Sequence, residues 1–279
     1  MEFDVKEITR QCIYWTQQFV NDIDKDKKVI VDISGGRNSA IAAGMLEHAL
    51  GKDRILGVMF SCYEDPETPA YKSAMEVCSS LGIKMQYVHI NSVFQEMCHE
   101  LRSAECSWKD SFPDTFDAFK VNTIARLRMT YLYGLAALQD ALVVNTSDRS
   151  SSVIDYTTKF GDQVGDFAPL AWLTNDEIRQ IGEYMRLPES AINAQSSDGL
   201  WCIGNTRENY YVTSSDEEKT GILYSDINQL IRNGKKGMDE ETVFVIERAF
   251  EASMQKRNVL NLPTIRPELY DYFFEKYGK

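Results

Sequence analysis

The junction at residues 28–50 constrains the fold more than any other part of the chain. Lys28-Val29-Ile30-Val31-Asp32-Ile33 is a β-branched run that ends in Ser34-Gly35-Gly36, and the apolar stretch 40–50 follows at once. β-Branched residues favour extended backbone, glycines allow a tight reversal, and a long apolar stretch reads as a helix. A strand that leads straight into a helix reaches its next neighbour by crossing over a sheet face, which makes the pairing parallel.

The alternation continues. Residues 54–60 predict a second strand and 69–81 a helix, with Thr68 as its N-cap, Pro69 in its first turn and Gly82 as its stop. Residues 84–90 predict a third strand, 92–102 a helix, 103–115 a polar and aromatic loop containing Pro113, 116–138 a long helix and 141–144 a fourth strand. Helices are expected over 151–157, 174–185, 224–232 and 240–256. Between them, 189–220 is dominated by Ser, Asn, Asp, Gly and Thr, the composition of a mobile loop with a functional role. At 279 residues and 43% hydrophobic, the chain is long enough for one large core. The expectation is a single α/β domain over 1–279, Rossmann-like, with a central parallel sheet and helices on both faces.

Composition removes several function classes. The net charge of -12 repels a polyanion, so nucleic acid is not expected as a partner. No apolar run reaches the roughly 18 residues of a membrane span, and Met1-Glu2-Phe3-Asp4 lacks the basic-then-apolar order of a signal peptide, so a cytoplasmic location is expected. Cys12, Cys62, Cys78, Cys98, Cys106 and Cys202 are scattered and read as reduced packing residues. They and His48, His89 and His99 offer no zinc-type spacing. No Gly-x-Ser-x-Gly elbow points to a serine hydrolase.

Several patterns carry chemistry. In Ser34-Gly35-Gly36-Arg37-Asn38-Ser39 the glycines admit an anion close to the backbone, the next helix offers its free N–H groups, and Ser34 and Ser39 add hydroxyl donors. The spacing is neither a P-loop nor a dinucleotide fingerprint, and an ordinary strand-to-helix turn fits the hexapeptide equally well. Asn122-Thr-Ile-Ala-Arg126-Leu-Arg128-Met129 puts two guanidinium groups on an otherwise apolar helix, two positions apart and therefore on different faces. Alone they read as a surface pair. Asn145-Thr146 closes a strand, where α/β sheets bind ligands. Thr158-Lys159-Phe160-Gly161-Asp162 and Gly165-Asp166-Phe167-Ala168-Pro169 set a cation, acids and glycines on tight turns.

In this order and spacing, from about residue 28 to about residue 257, these blocks resemble the ammonia-dependent NAD synthetase family, whose fold is of the adenine nucleotide alpha hydrolase kind. The resemblance implies an ATP-dependent, AMP-forming amide ligase that converts deamido-NAD and ammonia to NAD+ through an acyl-adenylate. It implies that Ser34, Gly35, Gly36, Arg37, Asn38, Ser39, Thr146 and Ser196 serve ATP, and that Arg126, Lys159, Asp166 and Lys256 serve deamido-NAD. Ser34, Ser39 and Asp166 are the residues it casts as catalytic. It further implies a homodimer, Mg2+ as cofactor, and no glutaminase domain, so that ammonia comes from solution or another protein.

The chain departs from the family pattern at three positions. Asn38 stands where the family places a magnesium-ligating aspartate, Ser151 where it places a ligating glutamate, and Asn175 where many members carry a lysine. Amide and hydroxyl oxygens are poorer magnesium ligands than carboxylates. Three readings follow: magnesium held by the ATP phosphates and water, Arg37 supplying charge in its place, or a diverged relative. Such a relative amidates another small carboxylate or is a catalytically impaired nucleotide-binding paralogue. The stretch 200–216, with Trp201, Cys202, Tyr210 and Tyr211, also reads as an insertion.

Overall fold

The computed structural model describes residues 2–61, 68–103, 112–154, 157–194, 216–254 and 262–278. Helix α1 (Val5–Ile23) leads into β1 (Lys28–Asp32), α2 (Arg37–Leu50), β2 (Ile55–Ser61), α3 (Pro69–Leu81), β3 (Lys84–His89), α4 (Asn91–Ser103), α5 (Phe112–Gln139) and β4 (Ala141–Val144). The four strands form one sheet in the order β3-β2-β1-β4, with β1 parallel to both neighbours: Val29 sits beside Ile55 on one side and Leu142 on the other.

Both faces of the sheet are covered, as an all-parallel sheet requires. Val29, Val31 and Ile33 point to α1, α2 and α3, meeting Ile8, Cys12, Ile41, Met45 and Ala74. Ile30, Val58, Phe60 and Val88 point the other way, to Phe94 of α4 and Ile124 and Leu132 of α5. Cys12, Cys78 and Cys98 are buried free thiols, with burial pushing Cys12 up to about 12 and Cys78 to about 11. Cys62, Cys106 and Cys202 lie outside the described residues.

Past the sheet come α6 (Arg149–Val153), α7 (Asn175–Tyr184), α8 (Glu189–Ile192), α9 (Asp216–Thr220), α10 (Tyr224–Asn233), α11 (Glu240–Ser253) and α12 (Tyr272–Tyr277). Val153, Ile227, Ile231, Ile246, Phe250 and Phe273 form a second apolar core among α6, α10, α11 and α12.

The α2–α3 region follows the sequence reading: Thr68 accepts from Tyr71 N, and Gly82 ends α3 at φ 66°. Elsewhere the boundaries move for physical reasons. Phe112–Thr115, read as loop, belongs to α5, because a first-turn proline loses no helix hydrogen bond. The helix expected at 151–157 starts at Arg149 because Asp148 caps it, accepting from Ser151 N. Both ends of the expected mobile loop are helical, as α8 and α9, while 195–215 lies outside the described residues. Helix α1 went unread: it buries Ile8, Thr9, Cys12, Thr16 and Val20, with Ile13, Trp15 and Phe19 packed against the same core. No helix among the described residues is long and apolar enough to cross a membrane.

The C-terminal segment is fastened to α6 by a buried ion pair. Arg149 Nε and Nη2 donate to the Asp271 carboxylate at 2.6 and 2.9 Å, with Arg149 0% and Asp271 1% exposed. Asp271 also caps α12, accepting from Phe274 N at 2.8 Å, and Trp172 lies 5.1 Å from the Arg149 guanidinium. Removing one partner strands a buried charge. Asp271→Ala is therefore expected to lower stability by about 3–5 kcal/mol in urea unfolding.

A second electrostatic cluster sets an acid limit. Burial alone would raise the Glu247 carboxyl, but hydrogen bonds from Lys276, Tyr272 and Lys235 outweigh it and hold the group at about 2. A carboxyl depressed on folding adds stability above its ordinary pKa of 4.5 and loses that contribution as pH falls toward 2. The thermal stability difference between the native protein and Glu247→Gln should accordingly shrink as pH is lowered from about 5 to about 2.

Candidate active site

Strand β1 has β2 and β3 on one side and β4 on the other, so chains leaving β1 and β4 part company at their C-terminal ends. A crevice opens at such a switch point. Ser34, Gly36, Arg37, Asn38 and Ser39 line it from the β1 side, and Asn145, Thr146, Ser147, Asp148 and Ser151 from the β4 side.

The loop after β1 is shaped by contact with α3. Gly35 has φ +82°, and a Cβ there would fall 2.2 Å from the Ala70 carbonyl oxygen. Ser73 Oγ donates to the Gly35 carbonyl at 2.9 Å, fixing the approach. Gly36 is the N-cap of α2 and supplies no side-chain cap, which leaves first-turn N–H groups facing the crevice. Ser39 Oγ donates to Gly36 O at 3.0 Å and lies 3.2 Å from Ser34 Oγ, so the two hydroxyls flank the same turn.

Arg37 turns away from this anion-ready surface. Its Nε and Nη2 donate to the Ile192 and Ala194 carbonyls at 2.6 and 3.2 Å, and Nη1 to Asn175 Oδ1 at 2.6 Å. Among the described residues it is a tie between α2, α7 and α8, with its charge near the crevice but these hydrogen bonds committed elsewhere.

Asn38 and Ser151 converge on Asp148. Asn38 Nδ2 donates to Asp148 Oδ2 at 2.6 Å, Ser151 Oγ to the same oxygen at 3.0 Å, and Ser151 N to Oδ1 at 2.8 Å. Burial holds the Asp148 carboxyl above its ordinary value, and these donors offset only part of that rise. Ser151 Oγ is 3.2 Å from the Tyr224 hydroxyl, which donates to Asp216 Oδ2 at 3.1 Å. On the floor, Asp32 is raised by burial, partly offset by the charge of Arg128, whose Nε is buried without a hydrogen-bond partner among the described residues.

The turn at 157–166 forms the outer wall. Asn145 Nδ2 donates to the Asp162 and Val164 carbonyls at 2.8 and 2.9 Å, and Thr158 Oγ1 donates to Asn122 Oδ1 at 2.9 Å. The Asn122 and Thr158 blocks, far apart in sequence, therefore meet. Exposed Arg126 donates from Nε to Lys159 O at 3.1 Å, bringing these two expected dinucleotide contacts together at the rim, while Arg128 lines the interior. Asp166 is placed differently. Its Oδ2 accepts from Val143 N at 2.7 Å and its Oδ1 from the Tyr133 hydroxyl at 3.3 Å, extending the β4 edge rather than lining the crevice. Burial and the Asp166 charge push the Tyr133 hydroxyl up to about 12. Ser196 and Lys256 lie outside the described residues.

The sequence reading passed over Asp32, Asp148 and the inward role of Arg128. Asp148 carried a usable signal, an Asp directly before a short polar helix, which is an N-cap pattern. Asp32 carried none, because an acid at the end of a buried strand becomes meaningful only once the crevice exists.

The donors at 38 and 151 do not fit the two-carboxylate magnesium shell of the resemblance. The hydrogen-bearing sides of an amide and a hydroxyl face the shared Asp148 oxygen. Among the described residues no group of three or more His, Cys, Asp or Glu is placed to hold a metal ion.

The sequence profile of the family described as NAD synthase matches residues 8–261. The chain belongs to the NAD synthase family. It is similar to the NH3-dependent NAD+ synthetase of Thermococcus sibiricus, 29% identical over 98% of this chain and 93% of that one. The corresponding Pyrococcus furiosus enzyme is 30% identical over 88% and 90%. Among solved structures, the NMN synthetase of Francisella tularensis superposes with a TM-score of 0.75 at 22% identity, covering 96% of this chain and all of that one. That likeness speaks for a shared fold. Membership in the NAD synthase family makes the chain an ATP-using ligase that forms a carbon–nitrogen bond.

The loop geometry predicts opposite fates for adjacent glycines. Gly35→Ala should cost about 2–4 kcal/mol in urea unfolding and abolish ATP binding, through positive φ and the clash with Ala70. Gly36→Ala should cost about 1 kcal/mol, since Gly36 has extended backbone and its nearest obstacle is Ser34 Oγ at 3.4 Å.

Proposed function

We propose that the chain converts deamido-NAD to NAD+ with ATP and ammonia, and that Ser34, Ser39, the Gly36 turn and Thr146 hold the nucleotide. The observation that carries this reading is the uncapped start of α2 at the switch point of a NAD synthase sheet. A carboxylate oxygen of the substrate attacks the α-phosphorus of ATP, an O–P bond forms, and the bond to the β-phosphate breaks to release pyrophosphate. The first-turn N–H groups of α2 and the two serine hydroxyls stand ready to take up the charge of that leaving group. Ammonia then attacks the acyl carbon, loses a proton, and AMP departs with the C–O electron pair.

Arg126, bonded to the backbone carbonyl of Lys159 at the rim, and the Lys159 ammonium beside Phe160 are suited to the phosphates of the dinucleotide. Asp166, tied to the backbone of Val143, shapes the wall behind them. Ser196 and Lys256 stay in the proposal on the resemblance alone, as do the homodimer and the cytoplasmic location.

The purified protein should release AMP and pyrophosphate and form NAD+ when given ATP, Mg2+, ammonium and deamido-NAD. Nicotinic acid mononucleotide, run alongside, tests a shorter carboxylate. Absence of AMP at every ammonium concentration with either substrate would overturn the ligase reading, and AMP only with the mononucleotide would change its substrate.

A further inference from the structure

The Asp148 cluster joins elements that otherwise meet only across the crevice. Asn38 belongs to the first turn of α2, directly after the loop that faces the nucleotide, while Ser151 belongs to α6 on the β4 side. Both direct their hydrogens at one buried carboxylate, which accepts from Asn38 Nδ2, Ser151 Oγ and Ser151 N within 3.0 Å. These three donors counter part of the upward push that burial gives the carboxyl, and they fix its orientation.

Helix α6 is itself immobilised. Arg149 pairs with Asp271, Ser150 Oγ donates to Asn228 Oδ1 at 2.6 Å, and Ser150 Oγ accepts from Asn175 N at 3.0 Å. The anchor is therefore rigid, and what it fixes is the loop.

We propose that Asp148 is a positioning residue for the nucleotide loop, tying it to α6 through Asn38 and Ser151 so that the nucleotide-free protein holds the loop without a bound divalent ion. A cation seated between positions 38 and 151 would meet the hydrogen sides of an amide and a hydroxyl and would have to break both bonds to Asp148. The divalent ion of the reaction then arrives on the phosphates of ATP. This inference rests on ATP being the nucleotide of the site.

The test uses the full chain, with Mn2+ as the probe of metal binding. Titration of nucleotide-free native protein followed by electron paramagnetic resonance should show no bound Mn2+; stoichiometric binding would overturn the proposal. By calorimetry, Asp148→Asn should weaken ATP binding by about tenfold or more, the worth of a charge-assisted hydrogen bond, and in turnover should raise KM for ATP more than it lowers kcat. The reciprocal variant Asn38→Asp with Asp148→Asn restores an amide–carboxylate pair with the charge on the loop and, with ATP binding measured in the presence of a chelator so that the new loop carboxylate cannot act through a divalent ion, should recover ATP affinity toward the native value. Unchanged ATP affinity in Asp148→Asn, or no recovery in the double variant, would also overturn it. If Asp148→Asn fails to fold, the double variant decides by ATP binding relative to the native protein, and the Mn2+ arm stands regardless. A native protein that binds ATP yet forms no amide would sink the ligase reading while leaving these binding arms decisive.

Discussion

Strand β1 is flanked on both edges and buried on both faces, so neither its edges nor its faces are open to a ligand. Its C-terminal end opens on the crevice. The chain leaving it crosses one face through α2, whereas β4 approaches from the opposite edge after α5 has covered the other face. The crevice is the gap these diverging connections leave. Its position is set by strand order, and its chemistry by whichever residues fall in the few positions after Asp32 and Val144.

The same constraint explains the density of buried polar contacts around α6. A site at the end of a sheet lacks ladder hydrogen bonds beyond the last strand residue, so its backbone must be satisfied by side chains. Asn145 does this for the 157–166 wall, Ser73 for the Gly35 carbonyl, and Asp148 for the start of α6. The C-terminal helices add a clamp through Arg149 and Asp271. Arg232 adds another, donating to both Glu177 oxygens and to the carbonyls of Trp172 and Tyr270. Residues far from the crevice in sequence thus hold its walls.

Much of this was legible beforehand. The strand signals at 28–33, 54–60, 84–90 and 141–144 all became strands, since preference for extended backbone is a local property. Thr68, Pro69 and Gly82 fixed α3 for equally local reasons. Helix α1 was not read, although Val5, Ile8, Cys12, Trp15 and Phe19 recur at helical spacing and pack on the core. Within the site, Ser34, Ser39, Asn38, Thr146 and Ser151, expected from the resemblance to serve ATP or its metal, all line the crevice. Asp166 was named as a ligand contact, yet its carboxylate turns to the backbone of Val143, an orientation that no spacing rule encodes.

The sequence by itself determined the strand–helix alternation and the glycine turn, which depend on residues close together along the chain, and the family to which the chain belongs, which depends on the order of such local blocks. Tertiary structure alone decided that Asn38 and Ser151 share Asp148, that Arg128 points inward while Arg126 stays at the rim, and that Asp271 closes on Arg149. Those outcomes depend on which face of which element meets another, and a carboxylate takes its meaning from the donors that surround it in space.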